Sequence, residues 1–271
     1  MSPPRASQSG NASYRAPAAV GVFDSGVGGL SVLREIHRQL PSIPTLYYAD
    51  QAHLPYGPRP AEEIREYVQC AADFLIEQGA VMIVLACHAA SAASLRDLRS
   101  IYPEIPIVGI EPAVKPAAEA TRSGVIGVLT TQATADGALY RGVVERYAVN
   151  VRVITQVAPE LVTLVEQGMQ DTAEGETILR RYVEPLLAAG ADQIVLACTH
   201  FPFLKASLEK MISIPLVDPG PAVARQAGRV LPQVQRWQAE NRYFTSGSAE
   251  RFKDMLARLI GVDAGVTQKI V

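Results

Sequence analysis

The chain has 271 residues, enough for one large domain or two modest ones with real cores. Hydrophobic residues make up 48% and charged residues 19%, an ordinary globular balance. The net charge of −2 gives no general reason to expect nucleic-acid or anionic-membrane binding, and no apolar run approaches the roughly 18–20 residues that span a bilayer. Three cysteines, Cys70, Cys87 and Cys198, form an odd, sparse set. That argues against a disulfide framework and for a reducing compartment. Nothing in their spacing suggests a zinc site.

In chain order, residues 1–18 are rich in Pro, Ser and Ala, lack an apolar signal core, and read as a flexible tail. "AVGVFDSG" is a strand entering a Gly-rich turn, and "GLSVLREIHRQL" an amphipathic helix. "TLYYAD" is a strand, "AEEIREYVQCAADFLIEQG" a helix with a Gly stop, and "VMIVLAC" a strand. "SAASLRDLRSIY" is a helix, "IPIVGI" a strand and "AVKPAAEATRSG" a helix interrupted by Pro116. Strands alternating with helices predict parallel sheets in an α/β fold.

The programme then restarts. "GVIGVLTTQAT" is a strand and turn, "VNVRVITQ" a strand and "APELVTLVEQG" a short helix. "AEGETILRRYVEPLLAAG" is a helix, "DQIVLAC" a strand, "FLKASLEKMI" a helix, "IPLVDP" a strand and "PAVARQAGRVL" a helix. The matching order indicates an internal duplication. A further strand, "NRYFTSG", and helix, "AERFKDMLARLIG", fall outside the repeat and return to the first unit. The expected domains are therefore 19–112 plus 222–271, and 113–221. The fold class is α/β: two pseudo-symmetric open parallel-sheet domains with the site in the cleft between them.

Ligands of open parallel sheets sit beyond the carboxyl ends of the strands. Cys87 and Cys198 both occupy that position, each at the start of a turn into a helix. Two thiols facing each other across a cleft suit inversion of a stereocentre. One base removes a proton from one face, a conjugate acid delivers a proton to the other, and the pair exchanges roles in reverse. A thiol's ordinary pKa of about 8.5 is near enough to neutrality for either role. Cys70, inside an amphipathic helix, reads as a small core hydrophobe instead.

Other polar groups collect at the same strand ends. "DSG" places Asp24 and Ser25 at the first strand's end, before glycines that allow close backbone approach. Thr130 and Thr131 occupy the corresponding turn of the second unit. Thr199 and His200 follow Cys198, where His200 could assist the thiol. His37 reads as a solvated helix residue, and His53 as a loop residue without a role.

"GVFDSGVGGLSVLREI", "YYADQAHLPYGPRP", "VLAC…ASAASL", "IGVLTT", "LVEQG" and "ACTHFPFL", in this order, resemble the glutamate racemases, a cofactor-independent family. The resemblance runs from Val20 to about Phe252. It implies that Cys87 and Cys198 are the acid/base thiols, with no cofactor and no metal. It implies that Asp24 assists Cys87 and also contacts substrate, and that Ser25 binds substrate. Pro55, Tyr56 and Gly57 would line the cleft, Thr131 and Thr199 would bind substrate, and Glu166 and His200 would assist Cys198. It implies a cytoplasmic homodimer that acts on glutamate for peptidoglycan synthesis, with no nucleic-acid or membrane partner.

The sequence departs from the family's "CNTAS" at one place, where it has "CHAAS". His88 and Ala89 stand where Asn and Thr usually hydrogen-bond the substrate. Neutral His88 offers one donor and one acceptor, and Ala89 only its backbone N–H. A protonated His88 would repel the substrate's ammonium, more so at lower pH. Two other readings remain at this point: a racemase for aspartate or another small acid, and a weakened homologue that binds without turnover. A thiol redox pair is a third, which a substrate-sized gap between the sulfurs would prevent.

Overall fold

The computed structural model describes residues 18–234, 237 and 239–271, so the expected tail 1–18 lies outside the described residues except for its last position. The strands are, in chain order, β1 (Ala19–Asp24), β2 (Thr45–Ala49), β3 (Ala80–Leu85), β4 (Ile107–Gly109), β5 (Val125–Thr130), β6 (Arg152–Val157), β7 (Gln193–Ala197), β8 (Leu216–Val217), β9 (Arg242–Thr245) and β10 (Val266–Gln268). They form two sheets, ordered β10-β9-β2-β1-β3-β4 and β6-β5-β7-β8, with every pairing parallel. The inner order β2-β1-β3-β4 is repeated as β6-β5-β7-β8. The duplicated sequence thus folds into duplicated topology, and the strand after the repeat, β9, pairs with β2 of the first sheet.

Alternation of side chains explains why these strands are apolar throughout. Val22, Tyr47, Met82 and Val84 of the first sheet face Leu33 and Ile36 of the helix Leu30–Gln39 and Phe252 of the helix Ala249–Ile260. Their neighbours Phe23, Tyr48, Ile83 and Leu85 face Ile64, Val68 and Leu75 of the helix Ala61–Glu77. A two-residue period with helices on both faces buries the central strands β1 and β2 at every position, while the edge strands β6 and β10 keep exposed ones. In the second sheet, Leu129, Ile194 and Leu196 join the same core as Val22 and Leu33. One apolar core therefore runs under both sheets and fixes their facing ends.

Several expectations are corrected. Pro116 does not interrupt its helix, Val114–Ala120; it sits in the first turn, where the missing N–H would have had no helical partner. The helix Ala138–Tyr147 was not foreseen from "ALYRGVVERY", because Gly142 weakens it and only Tyr140 and Val143 are buried along it. The strand β10 was also unforeseen, since three residues at a sheet edge are strand only by pairing with β9. Cys70 is exposed rather than part of the core. His37 is half-buried, with Nε2 2.9 Å from Thr45 Oγ1, so it is not simply solvated. No helix among the described residues is long and apolar enough to cross a membrane.

Candidate active site

The carboxyl ends of β1 and β3 meet those of β5 and β7 around a cavity of about 350 Å³. Cys87 lies just beyond β3 as the cap of the helix His88–Ile101, and Cys198 directly follows β7. Both thiols are free, buried in the wall, and line the cavity. Ser25, Pro55, Tyr56, Gly57, His88, Ala89, Thr131, Thr199 and His200 line it too. Asp24 and Glu166 are not part of its lining and stand one layer behind.

That second layer is a set of hydrogen bonds joining the two sheets. Cys198 Sγ lies 3.6 Å from His200 Nδ1, and His200 Nε2 lies 2.7 Å from Glu166 Oε1. Glu166 also accepts from the Val27 N–H at 2.8 Å and from Gln51 Nε2 at 3.1 Å. Burial works to raise the Glu166 carboxyl, but the His200 hydrogen bond and charge, with Val27 and Gln51, bring it below its ordinary value. Burial likewise works against a charged His200. Its bonds to Cys198 and Glu166 win and hold the imidazole well above its ordinary value.

The turn after β1 carries the first-domain side. The Asp24 carboxylate is fully buried and accepts from the Gly26 N–H at 2.9 Å and from Thr199 Oγ1 at 3.0 Å. Burial raises its pKa, opposed by the His200 charge and these hydrogen bonds. Asp24 makes no hydrogen bond to Cys87; Ser25 does, with Oγ 3.7 Å from the sulfur. Two glycines make the turn possible. A Cβ on Gly26 would collide with Glu166, and one on Gly28 with the His200 ring. The Gly-rich turn is thus the surface against which the His200–Glu166 pair is packed.

Cys87 sits in a different field from Cys198. Burial raises its thiol, the Asp24 charge raises it further, and the Ala90 N–H and Ser25 only partly oppose them, leaving it at about 12. His88 is 3% exposed, and neither ring nitrogen has a hydrogen-bond partner. Burial brings its pKa down to about 3, so the ring is neutral across the physiological range. The expected imidazolium at mildly acidic pH is therefore absent.

Asp50 is a site residue the sequence reading missed. It accepts from Tyr56 OH at 2.6 Å and Ser246 Oγ at 2.8 Å, and lies 2.9 Å from His53 Nδ1. It thereby holds the "PYG" wall, and gives His53 a partner. Its signal was its place: like Asp24, it stands where a parallel strand ends. Gly57 O also accepts from the Ala133 N–H at 2.9 Å, tying that wall to the second unit. Leu54, Val157, Pro159 and Val162 complete an apolar side of the cavity that no motif announced. Among the described residues, no group of three or more His, Cys, Asp or Glu side chains could hold a metal ion.

The sequence profile of the Asp/Glu/hydantoin racemase family matches residues 20–227. A glutamate racemase from Ectopseudomonas mendocina (strain ymp) is 50% identical over 256 residues, covering 92% of this chain and 97% of the relative. The solved structure of Escherichia coli glutamate racemase, in complex with L-glutamate and the activator UDP-MurNAc-Ala, has a TM-score of 0.84 at 32% identity, covering 94% of this chain and 98% of that one. A glutamate racemase isoform from Bacillus anthracis gives 0.83 at 31% identity, covering 94% and 97%. With paired thiols at equivalent strand ends and this likeness along nearly its whole length, the chain belongs to the Asp/Glu/hydantoin racemase family and is an amino-acid racemase.

Proposed function

We propose that this enzyme interconverts L- and D-glutamate by direct proton transfer at Cα between two thiols. The observation that carries the reading is the opening of Cys87 and Cys198, one from each sheet, onto one cavity. The relatives named above support glutamate as the substrate. In one direction a thiolate takes the α-proton, leaving the electron pair on Cα and its carboxylate. The opposite thiol then gives its proton to the other face, and the former acid is left as thiolate. The reverse reaction exchanges the roles.

Each neighbour has a task in this scheme. His200 takes and returns the proton of Cys198, and Glu166 orients and charges the ring. Ser25 hydrogen-bonds Cys87. Asp24 positions Thr199 and supplies negative charge near Cys87. The Ala89 N–H, Thr131 and Thr199 offer polar partners to the substrate's charged ends, His88 lines the cavity with its ring while both nitrogens stay enclosed, and Pro55, Tyr56 and Gly57 close one wall. Supply of D-glutamate for peptidoglycan, a cytoplasmic setting and a homodimeric state belong to the same proposal, as do the domain limits 19–112 plus 222–271 and 113–221.

The test is Cys87→Ala and Cys198→Ala, followed by circular dichroism of glutamate interconversion. Each substitution should lower the rate by at least about 100- to 10,000-fold, the usual contribution of a positioned acid or base. Near-normal turnover in either variant would overturn the two-thiol scheme.

A further inference from the structure

We propose that Thr245 and Ser246, two residues behind the cavity, are positioning residues with separate tasks. Thr245 holds Glu166 through Gln51 and sets turnover, while Ser246 holds Tyr56 through Asp50 and sets substrate binding. The division into turnover and binding rests on the two-thiol reading above.

Both residues are buried, and neither is among those that line the cavity. Thr245 ends β9, which runs parallel to β2 with Thr245 abreast of Ala49. That register carries Thr245 and Ser246 alongside Asp50 and Gln51, the residues that follow β2. The segment "TSG" at 245–247 thus stands where "DSG" at 24–26 does, at the carboxyl end of a parallel strand, on the other side of β2.

The two hydroxyls are connected alike. Thr245 Oγ1 accepts the Gly247 N–H at 3.0 Å and donates to Gln51 Oε1 at 2.8 Å. Ser246 Oγ accepts the Ala52 N–H at 2.9 Å and donates to Asp50 Oδ1 at 2.8 Å. In each, a backbone N–H takes the oxygen's acceptor side and turns the hydroxyl proton toward the end of β2.

The difference lies in what stands beyond. Gln51 Nε2 donates to Glu166 Oε2 at 3.1 Å. A carboxamide can present either end, and the Thr245 proton fixes its oxygen, leaving the NH2 for Glu166. A Cβ on Gly247 would lie 2.9 Å from Gln51 Cβ, so this segment is seated directly on the residue it orients. Asp50 Oδ2 instead accepts from Tyr56 OH at 2.6 Å, and Tyr56 lines the cavity. Loss of the Thr245 hydroxyl frees the Gln51 amide to turn away from Glu166 and leaves the cavity wall in place. Loss of the Ser246 hydroxyl loosens Asp50 and with it the Tyr56 wall, and leaves the partners of Glu166 in place.

The experiment uses the full chain. Steady-state kinetics of glutamate interconversion are measured for Thr245→Val and Ser246→Ala, each alone and combined with Glu166→Gln or with Tyr56→Phe. Thr245→Val should lower kcat at least about twofold with KM unchanged, and Ser246→Ala should raise KM at least about twofold with kcat unchanged, the smaller end of coupling within one hydrogen-bond network. The Thr245→Val loss should disappear in the Glu166→Gln background and persist in Tyr56→Phe. The Ser246→Ala effect should disappear in Tyr56→Phe and persist in Glu166→Gln. Thr245→Ser, which keeps the hydroxyl, should retain wild-type kinetics. Residues that only hold the fold would lower the active fraction in every background. Effects that multiply in every combination, a residue that changes kcat and KM alike, or normal kinetics in either single variant would therefore overturn the proposal. Thr245→Ala or Ser246→Cys replaces a variant that does not fold, and a position where neither folds is structural, which overturns it too. Wild type without glutamate interconversion removes the racemase reading and this proposal together. Thiol-dependent interconversion with multiplying effects removes this proposal alone.

Discussion

Thr199 Oγ1 donates to Asp24 Oδ1 across 3.0 Å, joining the residue that ends β1 to one that follows β7. Ser31 Oγ, 2.9 Å from the Thr199 carbonyl oxygen, fastens the same crossing. The two sheets are thus fixed to each other beside both thiols. Thr199→Val keeps the volume but leaves one oxygen of a fully buried carboxylate without its donor. Loss of a hydrogen bond to a buried charge should destabilise the fold by about 1.5–3 kcal/mol, measured by urea denaturation, with a fall in turnover. Unchanged stability would show that the crossing is held elsewhere.

Glu166→Gln keeps the shape and removes the charge that supports His200. Turnover should fall by roughly 10- to 150-fold, the value of a hydrogen bond to a charged group. The effect on stability has a definite pH dependence. Glu166 is held below its ordinary 4.5, so its contribution is present above that pH and is lost as pH falls through the folded-state value. His200 is held above its ordinary 6.5, so its contribution is full below that pH and is lost as pH rises through the folded-state value. The stability difference between wild type and Glu166→Gln should be widest between these limits and close in acid. Denaturation midpoints across the range check it; a constant difference would remove the ion pair from the account.

Gly28→Ala tests the packing of the Gly-rich turn against the relay. The added methyl would meet the His200 ring and Thr199 Oγ1. Overpacking of this kind costs about 1–3 kcal/mol, and here the group displaced is the partner of Cys198. Turnover should fall more than KM rises, because the base rather than the pocket is moved. Normal kinetics in the variant would mean the turn gives way instead.

His88→Asn with Ala89→Thr supplies two polar side chains to the substrate's charged end. KM for glutamate should fall, by roughly tenfold for each hydrogen bond to a charged group that is gained. Since burial holds His88 neutral, with a pKa of about 3, the ratio of KM values should be the same in mildly acidic and mildly alkaline buffer. Steady-state kinetics at both values decide. An unchanged or higher KM in a folded double variant would show a pocket shaped around the imidazole.

Much of this was legible in the sequence because it is local. The strands ending at Asp24, Cys87, Thr130 and Cys198 are written as apolar runs that stop at polar residues or thiols, and the duplication aligns them. "DSGVGG" announces a tight turn, though not that its glycines make room for Glu166 and His200 from the other unit. What sequence could not give was burial and distant partners. His88 looked like a residue near its titration point, and only its enclosure makes it neutral. Asp50 closes the predicted strand "TLYYAD", but its partner Ser246 lies far along the chain and no local pattern announces it. The helix Ala138–Tyr147 was missed because its buried stripe is narrow, and β10 because its strand character comes from β9.

The central claim is that two thiols act on opposite faces of Cα, and solvent-deuterium incorporation tests it most directly. Wild-type enzyme is given protiated L-glutamate in deuterium oxide, and both enantiomers are analysed by mass spectrometry early in the reaction. The product D-glutamate should carry deuterium at Cα while the remaining L-glutamate keeps its proton, because the proton is taken by one group and replaced by another. Deuterium appearing in the remaining L-glutamate as fast as in the product, or product that retains the original proton, would contradict the account.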